Sequence, residues 1–396
     1  MLKNYLKIAW RNLLKNKAHT FINVAGLSVG MAVAMLIGLW IWDEVSYDKY
    51  FQNYDHLVRV MQHQTFNGER GTQNSIPLPL GPKLRDDYTG PNKDFKYVIM
   101  STWTQGHILA YKDKKLNQTG NYMQAEAPDM LTLKMLKGTR AGLKDPSSIL
   151  LSQKLATALF GSVDPINQVL KLDNKTVIKV TGVYEDFPRN TSFNDMAFIL
   201  PWDLYLISNP WTKNNMAEWG NNSWQIFAQL NPNADVDKVS ARIKDLKLNA
   251  LTVVNDKLSL SFKPSLFVHP MKKWHLYSEF KNGVIVGGNI EFVWMFGIIG
   301  TFVLMLACIN FMNLSTARSE KRAKEGGIRK TLGSLRKQLI TQFFSESLLV
   351  SSFAFVFSII LVQLTLGWFN QVADKQMSIL WSSPAFWIIG ILFSIF

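Results

Sequence analysis

The side chains able to do chemistry are few and scattered. His56 and His63, seven apart, flank an expected strand, and His269 and His275 follow late in the chain; neither pair has a third ligand at metal-site spacing. Ser147, Ser148 and Ser152 lie outside any G-x-S-x-G elbow, the sharp turn that would present a serine as nucleophile. Asp86 with Asp87, and Glu185 with Asp186, are sequence neighbours, and neighbours in a strand point to opposite faces, so they would not converge as an acid/base pair. The single cysteine, Cys308, sits in an apolar run, which excludes an intrachain disulfide. These residues imply neither an enzyme, nor a metal site, nor a cofactor.

The elements around them carry a different signal. A mean hydropathy of +0.02 would suit a soluble chain, but the apolar residues are concentrated in uncharged blocks. Residues 21–42 are 22 residues without a charge, enough to cross a ~30 Å hydrocarbon core at ~1.5 Å per residue. Residues 292–314 form a second such run, and a third, at 348–369, continues a helical lead from residue 338, with Glu346 expected at the membrane edge. A fourth run, 384–396, is too short to span and is read as a truncated helix. Within the first run Gly26, Gly30, Ala34 and Gly38 recur every four residues, a smooth face for close helix packing. Asn310 and Asn313 end the second run with amides that can bond across helices.

Charge orients these runs. Residues 1–20 hold five basic residues and no acid, and residues 315–337 hold eight basic residues against Glu320 and Glu325. Together they supply eleven of the fourteen net positive charges, which explains the balance by the positive-inside bias and argues against nucleic-acid binding. Residues 1–20 read as a basic amphipathic helix on the inner leaflet, with Trp10, Leu13 and Leu14 on its apolar side, so membrane lipid is an expected partner. Both basic segments then face the cytoplasm, and residues 43–290 lie outside it.

Those residues read as an α+β domain in two lobes. Strands are expected at 58–64, 175–184 and 257–262. Ser152 should open a helix closed by Gly161, and Asp235 another with Val236, Val239, Ile243 and Leu246 as its stripe. The fold class is thus a multi-pass α-helical membrane protein with a large α+β extracytoplasmic domain inserted between the first and second transmembrane helices.

The segment between the second and third runs is the most informative. Gly326-Gly327 should break the helix and Gly333 offers a second break; between them Ile328, Leu332 and Leu335 line one side, opposite Arg329, Lys330 and Arg336. A short helix of this kind at the membrane surface is suited to docking a partner. The segment resembles the FtsX-like permease family, whose members carry E-[IV]-G-[IV]-R-K-x-L-G-A before a Q-F-x-x-E-[SA] helix. Glu325, Gly327, Ile328, Arg329, Lys330, Leu332 and Gly333 match in order, as do Gln342, Phe343, Glu346 and Ser347; Gly326 replaces the usual branched residue and Ser334 the alanine. The stretches beginning at Lys3, Ser147, Val180 and His269 are similar to the MacB-type extracytoplasmic core domain, so the resemblance runs over nearly the whole chain.

That resemblance implies an inner-membrane permease subunit for ATP-driven export or mechanotransmission. The chain contains no G-x-x-x-x-G-K-[ST] loop, so a separate ABC ATPase subunit would hydrolyse ATP and dock on residues 327–335. The resemblance further implies a second permease half, as a homodimer or as the second half of a longer chain, and a periplasmic adaptor as a further partner. The alternative reading is a transmembrane sensor with a ligand-binding outer domain. It is less favoured because the chain re-enters an apolar run about 23 residues after the second.

Overall fold

In the computed structural model, residues 10–11, 13–15, 17–331 and 336–395 are described. The chain forms two compact units, Ser46–Ile290 and the helical unit made of Met1–Val45 with Glu291–Phe396. Among the described residues, the helices of eight residues or more are α1 (Lys17–Val45), α2 (Leu80–Tyr88), α3 (Gln153–Phe160), α4 (Val236–Ile243), α5 (Leu246–Val254), α6 (Asn289–Thr331), α7 (Arg336–Ala373) and α8 (Pro384–Ile395). The strands used below are β1 (Leu57–Phe66), β2 (Glu69–Gln73), β3 (Ile76–Pro77), β4 (Phe95–Ser101), β5 (Gln105–Tyr111), β6 (Lys114–Met123), β7 (Met135–Gly138), β8 (Ser148–Ser152), β9 (Val169–Leu172), β10 (Thr176–Tyr184), β11 (Phe198–Pro201), β12 (Asn222–Leu230) and β13 (Ser265–Pro270).

In the inserted unit the hydrogen-bonded order is β11-β8-β10-β9-β5-β6-β4-β12-β1-β13. Because β11 also pairs with β6, the first six strands close on themselves, while β4, β12, β1 and β13 extend as an antiparallel sheet joined where Ser101 faces Met123. The expected two lobes are these two sheet regions, but they do not separate. One hydrophobic core runs through both, taking Val58, Val60 and Ile226 from the extension and Ile149, Val180 and Phe198 from the closed part.

Local chemistry explains most of the elements. The Ser152 hydroxyl accepts from the Leu155 N–H at the start of α3, and Gly161, at φ 62°, ends it; the Asp235 carboxylate accepts from the Lys238 N–H and opens α4. Strands β1 and β10 occupy the stretches expected at 58–64 and 175–184. The stretch 257–262 is a correction: Lys257–Ser261 is a helical turn, not a strand. Asn255, left-handed at φ 56°, terminates α5, and the Asp256 carboxylate then accepts from the Ser259 N–H, so two caps outweigh a six-residue alternation.

In the helical unit, three stretches are long and apolar enough to cross a membrane: Thr20–Val45, Asn289–Leu314 and Phe344–Ala373. Helix α8 has 12 residues and is too short for that. A second correction concerns Gly326-Gly327, which do not break the chain into two helices: α6 continues through both to Thr331. A glycine costs only ~1 kcal/mol in a helix interior, and strong helix formers flank the pair on both sides. Of the expected N-terminal helix, Trp10, Arg11, Leu13, Leu14 and Lys15 are helical and residues 1–9 lie outside the described set.

Candidate functional site

The glycine face of α1 divides into two halves. At Gly26 a Cβ would lie 3.3 Å from Asn310 Nδ2, and at Gly30 it would collide with Ala307 Cβ, so the helix backbone passes close to α6 only because those positions lack side chains. Four and eight residues on, that face opens, and the close approach to α6 passes to Ile37, 3.1 Å from where a Cβ at Gly300 would lie. Nothing lies within 4 Å of a Cβ at Gly38, and Ala34 and Gly38 border a cavity. The other faces of α1 are filled: Leu27 and Met31 pack with Ala307, Ala354 and Phe355, and Ala32 and Leu39 pack with Val362, Leu366, Met377 and Ile379. Asn310 and Asn313 are exposed.

At the C-terminal end of α1 the sequence reading missed a charged cluster. Lys375 Nζ lies 2.8 Å from Asp43 Oδ2 and 2.7 Å from Glu44 Oε1, with all three side chains largely buried. Breaking a pair this enclosed leaves an uncompensated charge, so the cluster ties the end of α1 to the segment after α7. The available signal was that Lys375 is the single basic residue of positions 338–396. Glu346 is buried near the start of α7's apolar stretch. In the segment expected to couple to an ATPase, the backbone of Glu325, Gly327, Ile328, Arg329 and Lys330 is helical; their side chains, and Leu332 and Gly333 altogether, lie outside the described set.

The inserted unit holds several buried ionisable groups. The Asp48 carboxylate accepts from the Ser192 N–H and hydroxyl at 2.6 and 2.7 Å, and burial raises its pKa against those bonds. Arg59 lies over the Trp274 ring at 4.4 Å, with burial lowering its pKa to about 10. Burial, aided by the neighbouring Arg59, holds His269 at about 4; burial, aided by Arg70, does the same to His63. Lys247 donates to Gln62 and Asn222 at 2.7 and 2.6 Å, and burial lowers it to about 8. His107 Nδ1 meets Asp173 Oδ2 at 2.7 Å, with the ring against the edges of Tyr122 and Phe198. His56 and His63 do not converge with His269 and His275 on a shared centre; among the described residues no three His, Cys, Asp or Glu side chains form a metal-ligand group.

Comparison with known proteins adds the family evidence. The model of the MacB-like periplasmic core domain matches residues 20–246, and that of the FtsX-like permease C-terminal region matches residues 297–396. The uncharacterized ABC transporter permease YknZ of Bacillus subtilis is 25% identical over 368 residues, covering 89% of this chain and 83% of that one. The macrolide export ATP-binding/permease protein MacB of Haemophilus ducreyi is 26% identical over 357 residues, 87% of this chain but 46% of that protein, so the chain spans less than half of that relative. The crystal structure of the extracellular domain of the noncanonic ABC-type transporter YknZ from Gram-positive bacteria is 15% identical, covers 54% of this chain and 99% of that one, and has a TM-score of 0.36.

Proposed function

Because the chain belongs to the MacB/FtsX-like family of ABC transporter permeases, we propose that it is the permease subunit of an ATP-driven export or mechanotransmission complex. A separate ABC ATPase supplies the hydrolysis, and this chain converts it into movement of residues 46–290. In this reading the N-terminus is cytoplasmic, α1, α6 and α7 cross the inner membrane, and the inserted unit stands outside the cytoplasm. The two basic segments at 1–20 and 315–337 support that orientation. A second permease half and a periplasmic adaptor complete the assembly.

The observation that carries the reading is the continuity of α6. Its 43 residues form one helix of about 65 Å at ~1.5 Å per residue, running from the exit of the inserted unit into the segment that bears the docking motif. A single rod transmits a displacement at one end to the other without a joint to absorb it. ATPase closure against residues 327–335 would then move the far end of α6, which is a shear-type coupling with no covalent step by this chain.

The test is co-purification. A cognate ABC ATPase should be retained by the full chain in detergent, and the double change Arg329→Glu with Leu332→Asp should weaken that association by at least about tenfold. Undiminished retention by the double variant would remove the docking role of the segment.

A further inference from the structure

Beside the open half of the glycine face, the helical unit holds a cavity of about 340 Å³. Its wall includes Met31, Met35 and Leu39 of α1, Leu304 of α6, Phe355 of α7, and Phe386 of α8. Its lining is almost wholly apolar, and an apolar cavity of this size offers water too few hydrogen-bond partners to hold it. Left empty, it would forfeit the dispersion contacts of every side chain around it. An apolar occupant would restore those contacts.

Size and setting select the occupant. One turn of a packed helix, about 10–12 Å across and ~5.4 Å high, takes roughly 400–600 Å³, more than the cavity's 340 Å³. At about 30 Å³ per water-sized group, the cavity takes roughly ten such groups, the bulk of about ten methylenes. The medium around helices of this apolarity is hydrocarbon, so the abundant slender apolar molecule is an acyl chain. Met31 and Met35 are unbranched and adapt to a chain without a fixed shape. Gly38 supplies the room, because no atom lies within 4 Å of where its Cβ would be.

The cavity also has a polar end. Trp42 and Ser383 line it, Asp43 and Glu44 follow Trp42 directly, and Lys375 pairs with both acids. Tryptophan beside buried charge is what an apolar helix carries at the level of lipid head groups. We propose that this cavity holds one acyl chain of a bilayer phospholipid, its head group at the level of Trp42 and Lys375 and its tail lying along Met35 and Met31. The bound chain takes the place of a close helix contact on the Ala34 and Gly38 half of α1, while Gly26 and Gly30 make theirs with α6. The inference rests on the reading of α1, α6 and α7 as membrane-spanning.

The experiment uses the full chain in vesicles of phosphatidylethanolamine and phosphatidylglycerol, doped with phosphatidylethanolamine bearing a diazirine in mid-chain. After irradiation, adducts are mapped by mass spectrometry at Met31 and Met35, and at Phe302 and Leu306, which are exposed on α6. Adducts at Met31 and Met35 should exceed those on α6 severalfold. Gly38→Phe should lower them at least about tenfold while leaving Phe302 and Leu306 unchanged. Gly38→Leu, a smaller plug, should give an intermediate loss and guards against misfolding of the larger variant. Wild-type adducts at Met31 and Met35 that do not exceed those on α6, or that persist in both variants, overturn the proposal; they leave the membrane reading intact if α6 is labelled. Absence of adducts on α6 as well would remove the membrane reading and this inference together.

Discussion

Residues 46–290 hide their large side chains, and α6 displays them. In the inserted unit Trp224, Tyr184, Phe95 and Phe198 are fully buried, whereas Phe292, Trp294, Phe302 and Leu306 of α6 are each more than half exposed. Only 6% of the most apolar window of α6 is buried, against 33% for α1 and 28% for α7. Displaying such a surface to water would be costly, and displaying it to hydrocarbon costs nothing, because lipid tails are as apolar as leucine. The two regions are therefore the same polymer built for two solvents, and a substitution should report which solvent its site sees.

The largest effect is expected in the core of the inserted unit. Trp224 has no exposed surface, donates through Nε1 to the Tyr205 hydroxyl at 3.2 Å and stacks on Trp211. Trp224→Ala should cost about 3–5 kcal/mol, since the cavity left by a buried aromatic cannot collapse fully. Hydrogen exchange of β12 amides in the full chain, followed across a urea series, measures it. A cost under about 1 kcal/mol would mean that this core is loosely packed and that the contrast with α6 is weaker than burial indicates.

The helical unit was legible because its signals are long. An uncharged run of 22 residues and a matching basic flank leave few alternatives, and α1 covers the expected stretch. The inserted unit was legible at its caps, where Ser152 and Asp235 act on their immediate neighbours. What failed was local pattern against local pattern. Six alternating residues at 257–262 read as a strand until Asp256 capped them, and Gly326-Gly327 read as a break where propensity alone does not decide. What could not be read was convergence across the fold. Nothing near Asp48 in sequence announces Ser192, and nothing near Asp43 announces Lys375, because strand order and helix packing bring them together.

Acid offers a second contrast, because five of the six histidines lie between residues 46 and 290. His269 is buried and its folded-state pKa is lowered to about 4 from 6.5, first by burial and then by Arg59. Between those two values the unfolded chain binds more protons than the folded one, so stability rises with pH across the window and is lost as pH falls through it. Asp48, shifted upward by burial, works in the opposite sense by holding its proton to higher pH when folded. The stability lost through His269 on going from pH 7 to about 4.5 should be on the order of 2 kcal/mol. His269→Gln should flatten that slope in urea titrations of the full chain, and an unchanged slope would assign the acid sensitivity to other groups.

The smallest expected effect is the most discriminating. Leu306 on α6 and Leu200 on β11 are the same residue, one 64% exposed and the other 0%. Leu200→Ala should cost about 2–5 kcal/mol, as core truncations do. Leu306→Ala, in bilayer vesicles, should stay within about 0.5 kcal/mol, because lipid re-covers the shortened side chain and leaves no cavity. Paired unfolding midpoints in the same vesicles compare the two directly. Should Leu306→Ala cost as much as Leu200→Ala, the exposed face of α6 must pack against protein in the membrane. A second permease half is then the surface that α6 is built to meet, and the solvent contrast would apply to α6 only before assembly.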